Sequence, residues 1–327
     1  MEIVPASFEP QPKHRFAEMG ASLNVGDVAH VQHSYAFFGG MRPGNRRWQA
    51  LAAAVRRPLV LTVHELDDRA TGAYHLPAAL ERAYKAGFNR RTFCHPSVRG
   101  WIVHSRQLRD GLLALGAPEE QVRYWRHPVA TDAPPLPDAA AARERFGLRG
   151  KRVLTIIGFL ARRKGYDLAL EALTRLPEHV VLLCAGGEHA ADATGSLAWL
   201  RSEAAADGLG ERVQVTGYLS DERLQEALAA TDLVLAPFRE VSGSGSLALA
   251  MASRLPILAA DLPPLGDIDC LARFPAGDAA ALAHRVEELL GSEAERDRLR
   301  EAAGRYAAAN SYHAPAERTV ALYRELL

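Results

Sequence analysis

Short apolar runs alternate with helix-length segments along most of this chain. The runs lie at residues 28–32, 59–63 and 100–104 in the first half, and near 153–157, 180–184, 213–216, 232–236 and 256–260 in the second. Strands that alternate with helices form parallel sheets with crossover helices on their faces. The pattern therefore predicts an α/β protein with doubly wound parallel sheets.

The 327 residues fit two domains of ordinary size. A proline-rich stretch at residues 131–138 breaks helices and strands alike and predicts a linker. We predict a first domain at 1–133, a linker at 134–142 and a second domain at 143–305. The last segment, 306–327, is predicted to be helical and is a candidate to pack back on the first domain.

Composition excludes several classes of protein. Lys plus Arg equals Asp plus Glu at 39 each, so no global positive field would draw the chain onto nucleic acid. Three separate cysteines suggest neither disulfides nor a zinc ribbon. No apolar run approaches the ~20 residues of a membrane-spanning helix. We therefore expect a cytoplasmic protein, with a peripheral contact at the inner membrane face left open.

A cationic turn follows the apolar run Val153–Ile157. Gly158 ends the run, the turn carries Arg162, Arg163 and Lys164 in succession, and a helical segment follows. Ligands of open α/β sheets bind beyond the carboxyl ends of the strands. Three cations there favour a phosphate-bearing ligand, with solvated surface charges as the alternative.

A Gly/Ser loop precedes a second helix in the same domain. Residues 242–246 lead directly into the apolar helix 247–252. Glycine lets backbone approach a ligand, and the first N–H groups of a helix favour an anion. A flexible linker is the alternative, but a buried helix and strand follow at once. The loop is therefore a second candidate phosphate site.

These motifs together resemble GT-B-fold retaining glycosyltransferases of family four. The resemblance rests on segments in family order, which are Lys164–Asp167, Val215–Leu219, Ala236–Phe238 and Met251–Pro256, with weaker matches at Asp27–His33, Leu61–Glu65 and Arg126–Val129. It implies two Rossmann-like domains that face each other across a cleft, with a shortened first domain. It also implies a UDP- or GDP-type nucleotide-sugar donor, a carbohydrate, lipid-linked or small-molecule acceptor, and no cofactor or metal. A homo-oligomer stays open.

The resemblance also assigns roles to individual residues. Lys164 and His64 become the catalytic candidates, with His64 facing the donor sugar. The donor diphosphate would meet Arg162, Arg163, Lys164, Gly243, Ser244, Gly245 and Ser246. The nucleobase would lie against Gly217, Tyr218 and Leu219, the donor sugar and ribose against Glu240 and Ser242, and the acceptor cleft would include His33, Gly39, Gly40 and His127.

The chain departs from the family pattern at three positions. Phe159 stands where the family usually has Arg, and Val241 and Leu249 stand where it usually has two Glu. Arg162 or Arg163 is a candidate to supply the missing cation. The losses favour an alternative: a catalytically silent homologue that acts as a nucleotide-sugar-binding or regulatory subunit.

Two other interpretations carry less weight. The acidic run Glu65–Asp68 could suggest a Mg²⁺ or Mn²⁺ site, but a solvated acidic loop is the simpler expectation. An unrelated Rossmann oxidoreductase is disfavoured, because no Gly-x-Gly-x-x-Gly turn follows the first strand of either domain.

Overall fold

The computed structural model describes residues 12–41, 45–71, 74–132, 134–188, 195–241 and 243–327. Within these ranges the chain packs as two compact units. The first contains the residues up to His127 together with His313–Leu327, and the second contains Pro128–Tyr312. Each unit has a parallel sheet and its own apolar core. The predicted fold class, two α/β domains built on parallel sheets, is confirmed.

The described strands are β1 (Ala29–His33), β2 (Leu59–Val63), β3 (Val98–Val103), β4 (Val122–Tyr124), β5 (Arg152–Ile157), β6 (Val180–Ala185), β7 (Val213–Val215), β8 (Leu233–Ala236), β9 (Ile257–Ala260) and β10 (Ala272–Phe274). The described α-helices are α1 (Lys13–Ser22), α2 (Arg46–Ala54), α3 (Ala78–Phe93), α4 (Arg106–Leu115), α5 (Ala139–Arg145), α6 (Tyr166–Thr174), α7 (Ser196–Ala206), α8 (Asp221–Ala230), α9 (Gly245–Ala252), α10 (Ala279–Gly291), α11 (Glu293–Ala309) and α12 (His313–Glu325). None of these helices combines the length and apolar composition that a bilayer crossing requires.

The first unit is built on a four-stranded parallel sheet in the order β1-β2-β3-β4. Side chains alternate between the faces of a strand, so the sheet has two distinct surfaces. One surface packs on an aromatic core that includes the fully buried Trp48 and Phe93. The other meets α12, where Leu322 packs with Val60 and Ile102. The last helix of the chain therefore completes the first unit.

The second unit is built on a six-stranded parallel sheet in the order β10-β9-β8-β5-β6-β7. Apolar clusters lie on both faces of this sheet: Leu154 and Ile156 of β5 belong to one, Val153 and Ile157 to others. Burial on both faces explains why these strands read as continuous apolar runs. Their carboxyl ends share one edge, and the predicted site loops follow from that edge.

The division between the units differs from the predicted boundaries. α5 begins inside the predicted 134–142 linker, because Asp138 caps it by accepting a hydrogen bond from Ala141 N at 2.8 Å. Tyr306 and Ala307 are buried in the core of the second unit, so the first part of 306–327 belongs there. Only the segment from His313 onward packs with the first unit, after a break between α11 and α12.

Candidate functional site

Lys164 turns back towards the end of β5. Its Nζ donates a hydrogen bond to Ile157 O, and its side chain is almost fully buried. A Cβ atom on Gly158 would lie 2.6 Å from this nitrogen, and Gly158 has a φ of 97°. Glycine is therefore required there both by space and by backbone conformation. The cationic turn is built around one buried ammonium group.

Burial changes the charge state of Lys164. Desolvation, with a smaller contribution from the nearby Arg163 charge, lowers the pKa of Lys164 from 10.5 to about 8. At neutral pH a group with this pKa is still mostly in its ammonium form, and it loses its proton as the pH rises through about 8. A phosphate placed beside it would favour the ammonium form.

The first turn of α9 lies close to the same glycine. Ser244 caps the helix by accepting a hydrogen bond from Leu247 N at 3.2 Å. The Cβ of Ser246 is 3.9 Å from the position that a Cβ on Gly158 would occupy. The N–H groups of a first helical turn carry partial positive charge and bind anions. Lys164 Nζ and the first turn of α9 therefore lie close to the same position beside Gly158.

The other predicted diphosphate residues occupy different surroundings. The Arg162 guanidinium lies over the Trp199 ring, 4.2 Å from its centroid. Arg163 is exposed, and its carbonyl oxygen accepts a hydrogen bond from Arg239 N at 2.9 Å. Gly243 and Gly245 are also exposed, whereas Ser242 lies outside the described residues. The structure thus places the Lys164 ammonium, rather than the Arg162 guanidinium, against Gly158.

Glycines after three neighbouring strands bring their loops into contact. A Cβ on Gly186, after β6, would overlap the carbonyl oxygen of Gly158. A Cβ on Gly187 would lie 3.1 Å from the Cα of Gly217, which follows β7. Thr216 Oγ1 accepts a hydrogen bond from Gly186 N at 3.0 Å and ties these loops together. Sequence reasoning missed Gly186 and Thr216, although a Gly-Gly pair directly after a buried strand signals close backbone approach.

Two of the three predicted nucleobase residues differ sharply in exposure. Tyr218 is 87% exposed, and Leu219 packs against an apolar cluster of the second unit. A flat aromatic side chain held in solvent beside a backbone crevice can stack on a base. The nucleobase role of Gly217, Tyr218 and Leu219 stays a prediction.

Apolar packing replaces the two carboxylates expected beside the glycine-rich loop. Val241 and Leu249 both pack against the cluster that contains Phe238. Glu240 is exposed, and its N–H donates to Arg163 O at 3.4 Å. Both positions thus contribute to the core instead of offering a carboxylate to a ribose.

Histidines and a glutamine lie together on one face of the first unit's sheet. The His64 ring is 6.0 Å from the His104 ring, which is 5.5 Å from the His127 ring. His64 Nε2 is 2.7 Å from Gln32 Oε1. His64 and His104 directly follow Val63 and Val103, which are paired in register, so the parallel strands bring them together. His104 and Gln32 were not predicted as site residues. Their positions at the carboxyl ends of predicted strands could nevertheless be read from the sequence.

Burial favours the neutral form of two of these histidines, His64 and His104. Desolvation, followed by the charge of His127, lowers the pKa of His64. Burial also lowers the pKa of His104 to about 4, although its Nδ1 lies 3.1 Å from Trp125 O. Neutral imidazoles can donate one hydrogen bond and accept another, which suits the recognition of hydroxyl groups.

His33 is a core residue, which corrects its assignment to an acceptor cleft. It is 1% exposed and stacks on Phe38 at 5.1 Å, with Trp48 and Phe93 edge-on. Burial lowers its pKa to about 3. Because β-strand side chains alternate, His33 faces the aromatic core while Gln32 faces the other surface.

The two glycines predicted for the acceptor cleft also differ. A Cβ on Gly39 would meet the Arg47 guanidinium at 2.6 Å, so that glycine is covered. Gly40 has no described atom within 4 Å of a Cβ position and stays open. Both have positive φ, 82° and 74°, as the tight turn after a 3-10 segment requires.

The acidic run after β2 is fastened to the unit instead of being fully solvated. Glu65 Oε1 accepts hydrogen bonds from Ser34 Oγ at 2.7 Å and Tyr35 N at 2.9 Å. Asp67 Oδ1 accepts from the buried Lys85 Nζ at 2.8 Å. In the described ranges, no three His, Cys, Asp or Glu side chains converge on a point that could hold a metal ion. These carboxylates therefore serve the structure of the loop.

Comparison with known proteins identifies the family to which the chain belongs. Residues 151–292 match the family described as glycosyl transferases group 1, and residues 26–133 match glycosyltransferase family 4. Mannosylfructose-phosphate synthase from Agrobacterium fabrum is 36% identical over 129 residues, which cover 37% of this chain and 28% of that protein. Phosphatidyl-myo-inositol mannosyltransferase from Mycobacterium leprae is 30% identical over 276 residues, covering 76% of this chain and 70% of that protein.

Solved structures support the fold. The crystal structure of HepE from Anabaena in complex with UDP superposes with a TM-score of 0.74 at 16% identity, covering 95% of this chain and 82% of that one. Among the sequence relatives, the match covers only about a quarter of mannosylfructose-phosphate synthase but about two thirds of phosphatidyl-myo-inositol mannosyltransferase. Both halves of the chain match the same enzyme group, each on its own parallel-sheet unit. The chain belongs to the GT-B-fold glycosyltransferases of group 1, family 4.

Proposed function

We propose that this chain transfers a sugar from a nucleoside diphosphate to an acceptor hydroxyl with retention of anomeric configuration. The observation that carries the proposal is that Lys164 Nζ and Ser246, in the first turn of α9, both lie close to the position that a Cβ on Gly158 would occupy. A diphosphate leaving group gains negative charge as its bond to the sugar breaks. Positive groups fixed in advance stabilise that charge, each worth about 3–4 kcal/mol where such a donor has been removed by mutation.

The proposed reaction needs no carboxylate base from the protein. The bond between the sugar C1 and the diphosphate oxygen breaks, and a bond forms between C1 and the acceptor oxygen. The acceptor proton passes to the departing phosphate oxygen, so the protein chiefly positions the partners. Lys164 and the α9 first turn hold the diphosphate, Tyr218 stacks on the base, and His64 hydrogen-bonds a sugar hydroxyl.

We also propose that the reaction needs no metal ion. Lys164 and the helix end supply positive charge at the diphosphate, the task that a divalent cation performs in many phosphate-transferring enzymes. Activity that is unchanged by a chelator, and not raised by added Mg²⁺ or Mn²⁺, is the expected result. Loss of activity on chelation would contradict it.

The donor site is tested by thermal unfolding with UDP, GDP, ADP and TDP. A ligand at 100 times its dissociation constant adds about 2.7 kcal/mol to the free energy of unfolding. We expect one nucleotide to stabilise the wild-type protein and the exposed-site control Lys151→Ala, and to stabilise Lys164→Ala much less. If no nucleotide at millimolar concentration stabilises the wild type, the proposal fails.

One observation favours a second candidate, a catalytically silent homologue that binds a nucleotide sugar and regulates another enzyme. The residues at both expected Glu positions, Val241 and Leu249, pack into an apolar cluster. Incubation with the nucleotide sugar whose nucleotide stabilises the protein separates the two candidates. Release of the free nucleoside diphosphate supports the enzyme, whereas binding without release supports the silent homologue.

A further inference from the structure

A chain of polar side chains runs from the last helix to His64. Tyr323 Oη of α12 is 2.5 Å from His30 Nδ1, and His30 Nε2 is 2.8 Å from Thr62 Oγ1. Gln32 Nε2 is 3.3 Å from the same Thr62 oxygen, and Gln32 Oε1 is 2.7 Å from His64 Nε2. All five side chains belong to the first unit.

With the Gln32 amide oriented as in the structure, its nitrogen towards Thr62 Oγ1 and its oxygen towards His64 Nε2, the following arrangement of protons satisfies these contacts. Thr62 donates its hydroxyl proton to His30 Nε2 and accepts an N–H from Gln32, while His30 donates from Nδ1 to Tyr323. The amide nitrogen of Gln32 then faces Thr62, so its carbonyl oxygen faces His64. An amide oxygen only accepts hydrogen bonds, and therefore His64 must carry its proton on Nε2.

We propose that Gln32 is a positioning residue that holds His64 in the Nε2–H tautomer and leaves His64 Nδ1 as a hydrogen-bond acceptor. The inference deepens the proposed function, because it makes His64 an acceptor towards a substrate hydroxyl group. His64 is half-buried and Gln32 is exposed, so the face that they form is open to solvent. Thr62, which is 3% exposed, accepts a hydrogen bond from the Gln32 amide nitrogen and holds it in place.

The surroundings of His64 keep this arrangement neutral. Burial and the His127 charge lower the pKa of His64, whereas the Glu65 carboxylate acts in the opposite direction. His104 presents its ring at 6.0 Å, and burial lowers its pKa to about 4. Among the other titratable groups in this row of polar side chains, burial lowers the pKa of His30 to about 4 and raises the pKa of Tyr323. A neutral ring has one protonated nitrogen, so the tautomer decides what His64 can bind.

Nitrogen NMR of histidine-labelled protein tests the proposal, since the two neutral tautomers give distinct ring-nitrogen signals. His64→Gln identifies the His64 signals by their loss. We expect the Nε2–H form in the wild type and in Gln49→Leu, which replaces a half-buried glutamine of the same unit whose Nε2 donates to Arg91 O. Gln32→Leu should give a mixture of tautomers. The Nδ1–H form in the wild type, or an unchanged tautomer in Gln32→Leu, overturns the proposal.

Kinetics add a readout that separates positioning from folding. Gln32→Leu is expected to lower kcat about tenfold, the effect of one lost hydrogen bond, with the KM for donor unchanged. Gln32→Glu keeps an acceptor beside Nε2 and should keep the tautomer, but its charge raises the pKa of His64. The acid limb of its pH–rate profile should therefore move to higher pH. An unchanged acid limb would contradict the contact between residue 32 and His64. The NMR result stands even if the protein proves to be catalytically silent.

Discussion

Replacing Lys164 by methionine is expected to stabilise the free protein while it weakens diphosphate binding. Burial lowers the pKa of Lys164 from 10.5 to about 8. At about 1.4 kcal/mol for each pKa unit, the charged form costs the folded state about 3 kcal/mol at neutral pH. Lys164→Met removes this cost but leaves Ile157 O without its donor, which costs about 1 kcal/mol. The net gain in unfolding free energy is about 2 kcal/mol, as these two effects combine.

The difference in unfolding free energy between Lys164→Met and the wild type should depend on pH. The pKa of Lys164 is lower in the folded than in the unfolded state, so the wild-type protein carries the full cost below pH 8 and loses it between about pH 8 and 10.5. The advantage of Lys164→Met should therefore shrink as the pH rises through this window. Above it the variant should be slightly less stable than the wild type.

Denaturant unfolding at pH 7 and pH 10, with and without UDP, measures both effects. Lys151→Met, an exposed lysine of the same unit, is the matched control and should leave stability and nucleotide binding unchanged. A Lys164→Met protein that is less stable than the wild type at pH 7 would refute the burial argument. Undiminished stabilisation of that variant by the nucleotide would refute the role of the ammonium.

Three other predictions follow from the same unit. Nucleoside diphosphate affinity should stay level up to about pH 8 and then fall by up to tenfold for each pH unit as Lys164 deprotonates, measured by calorimetry; a level affinity to pH 10 would contradict this. Gly165→Ala should cost roughly 3 kcal/mol or more of unfolding free energy, because its φ is 73° and the new Cβ would overlap Pro237 O. Gly195→Ala, with a φ of 64° and no described atom within 4 Å of the new Cβ, should cost about 1 kcal/mol. Equal losses in the two glycine variants would contradict the clash. Tyr218→Ala should leave stability unchanged but weaken nucleotide binding by about 1–3 kcal/mol, and unchanged affinity in the same calorimetric assay would exclude base stacking.

The parallel sheets were predictable because their strands are buried and apolar. Every run identified from the sequence coincides with a strand to within a few residues, as β5 and β6 illustrate. β4 and β10 were not predicted. Each has only three residues and carries an arginine, so neither gives an apolar run long enough to stand out.

The positions of Lys164 and Ser244 were easier to predict than the surroundings of the first unit's histidines. Lys164 and Ser244 adjoin their strand or helix in sequence, so local spacing places them. The burial of His33 depends on packing against Phe38, Trp48 and Phe93, which come from separate elements. Alternation along β1 separates His33 from Gln32, but only the tertiary structure says which face is solvent-exposed.

The charge state of Lys164 also could not be predicted from the sequence. The sequence shows three successive cations but not their burial: Lys164 is buried, while Arg162 stacks on Trp199 from α7. That partner lies far along the chain. Desolvation is a property of the packed site, and so the lowered pKa could be inferred only once the neighbours of Lys164 were in place.

A crystal structure with the nucleoside diphosphate that stabilises the protein would show whether Lys164 binds the diphosphate. The distance to measure is the one between Lys164 Nζ and the nearest diphosphate oxygen. We predict hydrogen-bond contact there, about 2.7–2.9 Å, with further contacts from N–H groups of the α9 first turn. A diphosphate bound elsewhere, with Lys164 Nζ still directed only at Ile157 O, would contradict the account.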